Sequence, residues 1–147
     1  MRFWDSSAIV PLLLEEDRSP AMTALIKEDQ GIVVWWGTVV ECLSALHRRE
    51  REGLLSRADL DQAIGTLKEL EGFWIEVQPK EAVRAQAARA LSVHGLRTAD
   101  SLQLGAALAW RPLPSGDAAF VSLDQRLARA ASREGFTLAA PLGDEPG

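Results

Sequence analysis

Four acidic residues, Asp5, Glu41, Asp100 and Asp124, occupy places where an α/β chain would line a ligand-binding edge. Asp5 directly follows the hydrophobic run Arg2 to Trp4, and Asp124 follows the run Ala119 to Ser122. Glu41 lies in the first turns of the helical pattern after Ile32 to Trp35, and Asp100 in the first turn of an otherwise apolar helix. Each position alone has a plain alternative, because carboxylates cap helices and the helix dipole favours acids in the first turn. The joint pattern says more. Four carboxylates gathered in a partly desolvated cleft repel one another, so they either take up protons or hold a cation. A set of hard oxygen donors without a His or Cys cluster favours Mg²⁺ or Mn²⁺ over zinc. Such a metal acidifies a bound water and braces the oxygens of a phosphodiester under in-line attack, which is hydrolytic phosphoryl chemistry.

The elements that must position these acids are legible in the alternation of short β-branched or aromatic runs with longer helical patterns, the mark of a parallel α/β sheet. A first strand covers Arg2 to Trp4, and Ser6 and Ser7 offer an N-cap for a helix through Ile9, Leu12 and Leu13. A second helix (Met22, Leu25, Ile26) leads through Gly31 into the strand Ile32 to Trp35, after which Thr38 caps a third helix with Val39, Leu43 and Leu46 on one face. The stretch Arg57 to Leu70 is amphipathic and ends near Gly72. A strand Trp74 to Val77 follows, then a helix from near Pro79 broken at Gly95. Thr98 caps the helix Ala99 to Trp110, rich in Ala and Leu and therefore buried beyond its first turn. A turn-rich loop, Arg111 to Asp117, precedes the last core strand. A helix from Asp124 to about Glu134 and an edge strand Phe136 to Leu138 complete one domain over residues 1–140, leaving 141–147 as a tail.

In such a sheet the carboxyl ends of the strands form the ligand edge, which places Asp5 and Asp124 there. Asp117 is the rival for the fourth acid. It lies before the same strand as Asp124, but at the opposite end, so Asp124 is preferred. Ser6 and Ser122 adjoin the acids and could hydrogen-bond a carboxylate, a metal water or phosphate, although Ser6 suits helix capping equally well. Cys42 neighbours Glu41 but points about 100° away on the helix and reads as a small core residue. Trp35, Trp36, Trp74 and Trp110 read as core or interface packing rather than base-stacking platforms.

Composition sets limits on the partners. The chain has 147 residues, 47% hydrophobic and 25% charged, enough for one compact domain with a full core. Its formal net charge of −5 supplies no global basic field for nucleic acid. Setting the four acids aside leaves 17 acidic against 16 basic groups, so the remaining surface is close to neutral. The basic residues cluster at His47 to Arg51 and at Arg126, Arg129 and Arg133, where an RNA backbone could be met, or where solvated faces and intrachain ion pairs would account for them. The lone cysteine fits a reducing cytoplasm. The longest apolar run, Ala8 to Leu14, is too short to span a bilayer, and Asp5 interrupts any signal-peptide core.

Taken together, the pieces Phe3-Trp4-Asp5-Ser6-Ser7-Ala8, Thr38-Val39-Val40-Glu41, Thr98-Ala99-Asp100-Ser101-Leu102-Gln103-Leu104 and Phe120-Val121-Ser122-Leu123-Asp124-Gln125-Arg126-Leu127 resemble the PIN-domain proteins, specifically the VapC-type ribonuclease toxins of toxin-antitoxin pairs. The resemblance covers Arg2 to about Leu138. It implies a single PIN-like α/β domain, a central parallel sheet flanked by helices, in which Asp5, Glu41, Asp100 and Asp124 gather Mg²⁺ or Mn²⁺ for RNA hydrolysis. Asp5 and Asp100 would be direct ligands, with Glu41 and Asp124 completing the set and orienting water. It further implies a homodimer and a cognate antitoxin contacting the helices Ser6 to Leu14 and Ala21 to Glu28 and the region Arg57 to Leu70.

Three other readings stand beside this one. A receiver-type signalling domain would expect paired acids after its first strand and a late lysine, whereas Asp5 is followed by serines and the only lysines are Lys27, Lys68 and Lys80. A partner-binding module without catalysis would not need all four acids. A DNA-directed or RNA-processing nuclease on the same fold differs only in substrate.

Overall fold

A computed structural model describes residues 1–29, 31–111 and 118–140. Asp117, most of the expected loop before it and the expected tail at 141–147 lie outside the described residues. The element order is β1 (Arg2–Trp4), α1 (Ser6–Leu13), α2 (Ser19–Glu28), β2 (Ile32–Trp35), α3 (Thr38–Arg51), α4 (Arg57–Glu71), β3 (Ile75–Val77), α5 (Glu81–His94), α6 (Thr98–Trp110), β4 (Ala119–Val121), α7 (Gln125–Arg133) and β5 (Thr137–Leu138). The strands form one sheet in the order β3-β2-β1-β4-β5, every pair parallel. This is the α/β architecture expected from the alternation, with β1 at its centre.

The period of two along each strand divides the core between the two faces of the sheet. Trp4, Val34 and Val121 pack on one face with Ile9 and Leu13 of α1, Cys42 and Leu46 of α3, and Leu60 and Leu67 of α4. Phe3, Val33 and Phe120 pack on the other with Val83 of α5, Leu104 and Ala107 of α6 and Leu127 of α7. Phe120 sits between two further rings, its centroid 5.4 Å from that of Phe3 and 5.5 Å from that of Phe136. Helices α5 and α6 approach closely because Gly105 has no side chain. A Cβ there would lie 2.8 Å from both the Val83 carbonyl oxygen and the Ala87 nitrogen.

Three expected caps differ in the structure. The α1 cap is Asp5 itself, whose side chain accepts from the Ser7 nitrogen, and not a serine. Thr38 and Thr98 lie inside the first turns of α3 and α6, preceded at the N-cap positions by Gly37 and Arg97, neither making a side-chain cap bond. The helix boundaries hold within a residue or two, because the caps lie next to the residues expected to supply them. Trp35 and Trp74 are buried, while Trp36 stands 52% exposed after β2 with its ring 6.3 Å from that of Trp35. Gly95 ends α5 in the left-handed region, with φ 62°, where glycine carries no Cβ penalty. No helix among the described residues is long and apolar enough to cross a membrane.

Candidate active site

The parallel register of β1 and β4 sets Trp4 beside Val121, so the residues that follow, Asp5 and Ser122, emerge together at the carboxyl edge. Asp5 is 3% exposed. Its Oδ1 accepts from the Ser7 nitrogen at 2.9 Å and from the Ser6 hydroxyl at 3.2 Å, while Oδ2 accepts from the Ser7 hydroxyl at 2.6 Å and from the Ser122 hydroxyl in a short bond. The Ser7 oxygen in turn accepts from the Leu123 and Asp124 nitrogens, at 2.8 and 3.2 Å. Ser7 thereby ties the start of α1 to the β4–α7 turn. Asp124 caps α7, accepting from the Leu127 nitrogen at 3.0 Å.

Glu41 and Asp100 come from the first turns of α3 and α6. Glu41 accepts from Gln103 Nε2 at 2.6 Å, and the same Nε2 donates to Thr38 Oγ1 at 3.0 Å. Gln103 is wholly buried, and its Oε1 is the one buried side-chain polar atom without a partner among the described residues. Asp100 and Gln103, three positions apart, share a face of α6, as Thr38 and Glu41 share one of α3.

The acids act on one another in pairs, Asp5 with Asp124, Glu41 with Asp5 and Asp100, and Asp100 with Asp124 and Asp5. Burial raises the pKa of Asp5, and the charge of Asp124 adds to that rise against the hydrogen bonds from Ser122 and Ser7. Burial pushes Glu41 up to about 7, with Asp5 and Asp100 adding to it and hydrogen bonds from Gln103 and Ser6 opposing. Asp100 is raised by burial and by Asp124 and Asp5, while Arg97 and Arg126 draw it down. Burial, Glu41 and Asp5 push the Cys42 thiol up to about 12, so it stays protonated at neutral pH and offers neither a nucleophile nor a soft ligand.

The donor set is therefore all oxygen, negatively charged and strained by its own repulsion, which suits a hard divalent cation. As they stand, no three His, Cys, Asp or Glu side chains among the described residues form a group that could hold a metal ion. Of the residues singled out in the sequence, Asp5, Glu41, Asp100, Asp124, Ser6 and Ser122 gather at this edge. Of the basic clusters, Arg49 is committed to Glu16 at 2.8 Å, and His47 to Arg51 begins about two helical turns beyond Glu41. Sequence reasoning assigned no role to Gln103 and read Ser7 only as a cap. An isolated glutamine in an apolar helix or a serine beside an acid carries no signal until its partner is known.

No protein-family model matches the chain, and no curated protein matches it. The solved structures do. The crystal structure of VapC20 from Mycobacterium tuberculosis, a toxin that cleaves the sarcin-ricin loop, superposes with a TM-score of 0.70 at 15% identity, over 96% of this chain and 100% of that one. FitAcB from Neisseria gonorrhoeae superposes with a TM-score of 0.61 at 17% identity, over 94% of this chain and 96% of that one. The chain has the PIN-like α/β fold of VapC-type toxins, as the sequence motifs implied.

Proposed function

We propose that this protein is a Mg²⁺- or Mn²⁺-dependent endoribonuclease, the toxin of a type II toxin-antitoxin pair, with Asp5, Glu41, Asp100 and Asp124 as its active-site acids. The observation that carries the reading is the gathering of carboxylates from four separate elements at the strand edge where α/β folds bind ligands, with Asp5, Glu41 and Asp100 raised by burial and by neighbouring acids. Repulsion of that kind costs stability, and a fold has no structural use for it.

When bound, the metal supplies positive charge for the scissile phosphate and an acidified water. Asp5, braced by three serines, is a fixed ligand, and Asp100 is the second. Glu41, held by Gln103, completes the ligand set and orients the water. Asp124 keeps its orientation through the cap of α7. Arg97 and Arg126, both exposed and both near enough to Asp100 to act on it, meet the RNA backbone beside the acids. The antitoxin contacts expected of α1, α2 and the region Arg57 to Leu70 would include the walls of a cleft of about 720 Å³ where Leu12, Leu14 and Leu55 adjoin Glu16, Arg49 and Asp59. The homodimer and a cytoplasmic setting belong to the same reading, as does the division into a domain at 1–140 and a tail at 141–147.

The test is transcriptome-wide mapping of new RNA 5′ ends after brief induction of the wild type and of Asp100→Asn in a bacterial host. Cuts made only by the wild type establish carboxylate-dependent RNA cleavage and name its substrate. If cuts are absent, and the purified protein neither binds Mn²⁺ nor cleaves RNA, the chain is a partner-binding module on a nuclease fold. Mn²⁺-dependent cleavage of DNA alone would move the substrate class.

A further inference from the structure

We propose that Gln103 is a positioning residue that holds the Glu41 carboxylate in one orientation relative to Asp5 and Asp100, an inference that rests on the metal-dependent reading above. Both Nε2 hydrogens are spent on α3, one on Thr38 Oγ1 at 3.0 Å and one on Glu41 Oε2 at 2.6 Å. The amide carbonyl is left buried with no partner, an arrangement that buried polar groups ordinarily avoid. Turning the amide over would set that carbonyl against a carboxylate oxygen of Glu41, oxygen against oxygen. The observed orientation is thus the one that serves an ionised Glu41, and the fold accepts an orphaned acceptor to keep it.

Spacing makes the brace useful. The first turn of α6 carries both Asp100 and, three positions on, Gln103, so one helix supplies an acid and also the donor that fixes the acid facing it. The pair Thr38 and Glu41 repeats that spacing on α3. Thr38 anchors the amide, and the anchored amide sets the carboxylate. A glutamine serving only to join two helices could do so through Thr38, with its second hydrogen and its carbonyl turned elsewhere. Groups that orient a ligand typically change metal affinity by about 10–100-fold when removed.

The experiment titrates the full metal-free chain with Mn²⁺ alone by calorimetry, with circular dichroism and a thermal melt on each variant. Gln103→Met, close in size but without donors, should bind Mn²⁺ about 10–100-fold more weakly with an unchanged far-ultraviolet spectrum. In a Glu41→Gln background the same change should alter Mn²⁺ affinity less than about twofold, since its effect passes through Glu41. Unchanged Mn²⁺ affinity in Gln103→Met, or an equal further loss in the Glu41→Gln background, overturns the proposal. If Gln103→Met does not fold, Thr38→Val takes its place as a near-isosteric loss of the anchor. It too must weaken Mn²⁺ binding, and unchanged binding counts against the brace. Asp5→Asn separates the two readings. Wild-type binding that Asp5→Asn abolishes and Gln103→Met leaves intact sinks the brace alone, whereas a wild type that binds no Mn²⁺ sinks both.

Discussion

The Ser122 hydroxyl at the end of β4 donates to the Asp5 carboxylate at the end of β1, a bond between residues 117 positions apart that exists because β1 and β4 are neighbours in parallel register. Ser122→Ala removes one of the hydrogen bonds that hold the Asp5 pKa down against burial. Hydrogen bonds to charged groups contribute about 1.5–3 kcal/mol, so RNA cleavage should fall by about 10- to 100-fold. Kinetics on an RNA identified by 5′-end mapping would check this, and unchanged cleavage would remove Ser122 from the site.

Asp5→Asn should separate activity from stability. The buried carboxylate is costly to ionise among its acidic neighbours, and asparagine keeps the capping oxygen of α1 without the charge. The variant should lose RNA cleavage altogether, yet melt at or above the wild-type temperature in metal-free buffer. A large fall in melting temperature would mean that the charge of Asp5 stabilises the fold.

Glu41 predicts a pH dependence of defined sign. Its pKa rises from an ordinary 4.5 to about 7 in the folded protein, so the folded state binds the proton more tightly than the unfolded chain does. Stability in metal-free buffer should therefore decline as pH rises between those two values, and Mn²⁺ should raise the melting temperature more at pH 8 than at pH 5. Glu41→Gln should remove Glu41's share of that slope and leave the share of the raised Asp5 and Asp100 carboxyls. Melting curves across the range, with and without Mn²⁺, provide the check.

Gly105→Ala tests the packing that carries Asp100 and Gln103. The added Cβ meets backbone atoms of α5 at 2.8 Å, and neither helix can yield cheaply. Overpacking of this kind costs about 1–3 kcal/mol, seen as a drop of several degrees in melting temperature. A variant as stable as the wild type would show that α5 and α6 can separate freely.

Asp29 anchors the other end of the sheet. It accepts from the Trp4 indole nitrogen at 2.8 Å and from the Gly31 nitrogen at 3.1 Å, and stands 3.6 Å from the terminal amine. Asp29→Ala leaves the indole of fully buried Trp4 unpaired, so unfolding in urea should show a loss of about 1–3 kcal/mol, with RNA cleavage at low temperature retained. A neutral effect would mean that water takes over the indole hydrogen bond.

Much of this architecture follows from local rules. Short runs such as Ile32 to Trp35 are too apolar and β-branched for a surface helix, and the helices between them are long enough to cross from one strand to the next in parallel. Once that much is known, an acid directly after a strand must lie at the carboxyl edge. The places of Asp5, Glu41, Asp100 and Asp124 at the ends of their elements follow from order and spacing, because each one's place depends mainly on its own element. The caps were less so. A serine or threonine before a helix looks like a cap in any sequence, yet the oxygen that reaches the free nitrogen belongs to Asp5 at α1.

Relationships between elements stayed hidden until the chain was folded. Gln103 looks like an ordinary position in a helix rich in Ala and Leu, and only the meeting of the first turns of α6 and α3 at the sheet edge brings its amide onto Thr38 and Glu41. Ser7 becomes a junction of α1 with the β4–α7 turn only through sheet order. Hydrophobic periodicity and helix punctuation act over a few residues, so the amino-acid order alone specified the layers and the acids at their rim. Hydrogen bonds spanning 62 to 117 positions depend on strand register and helix approach to a fraction of an ångström, and these are properties of the assembled core.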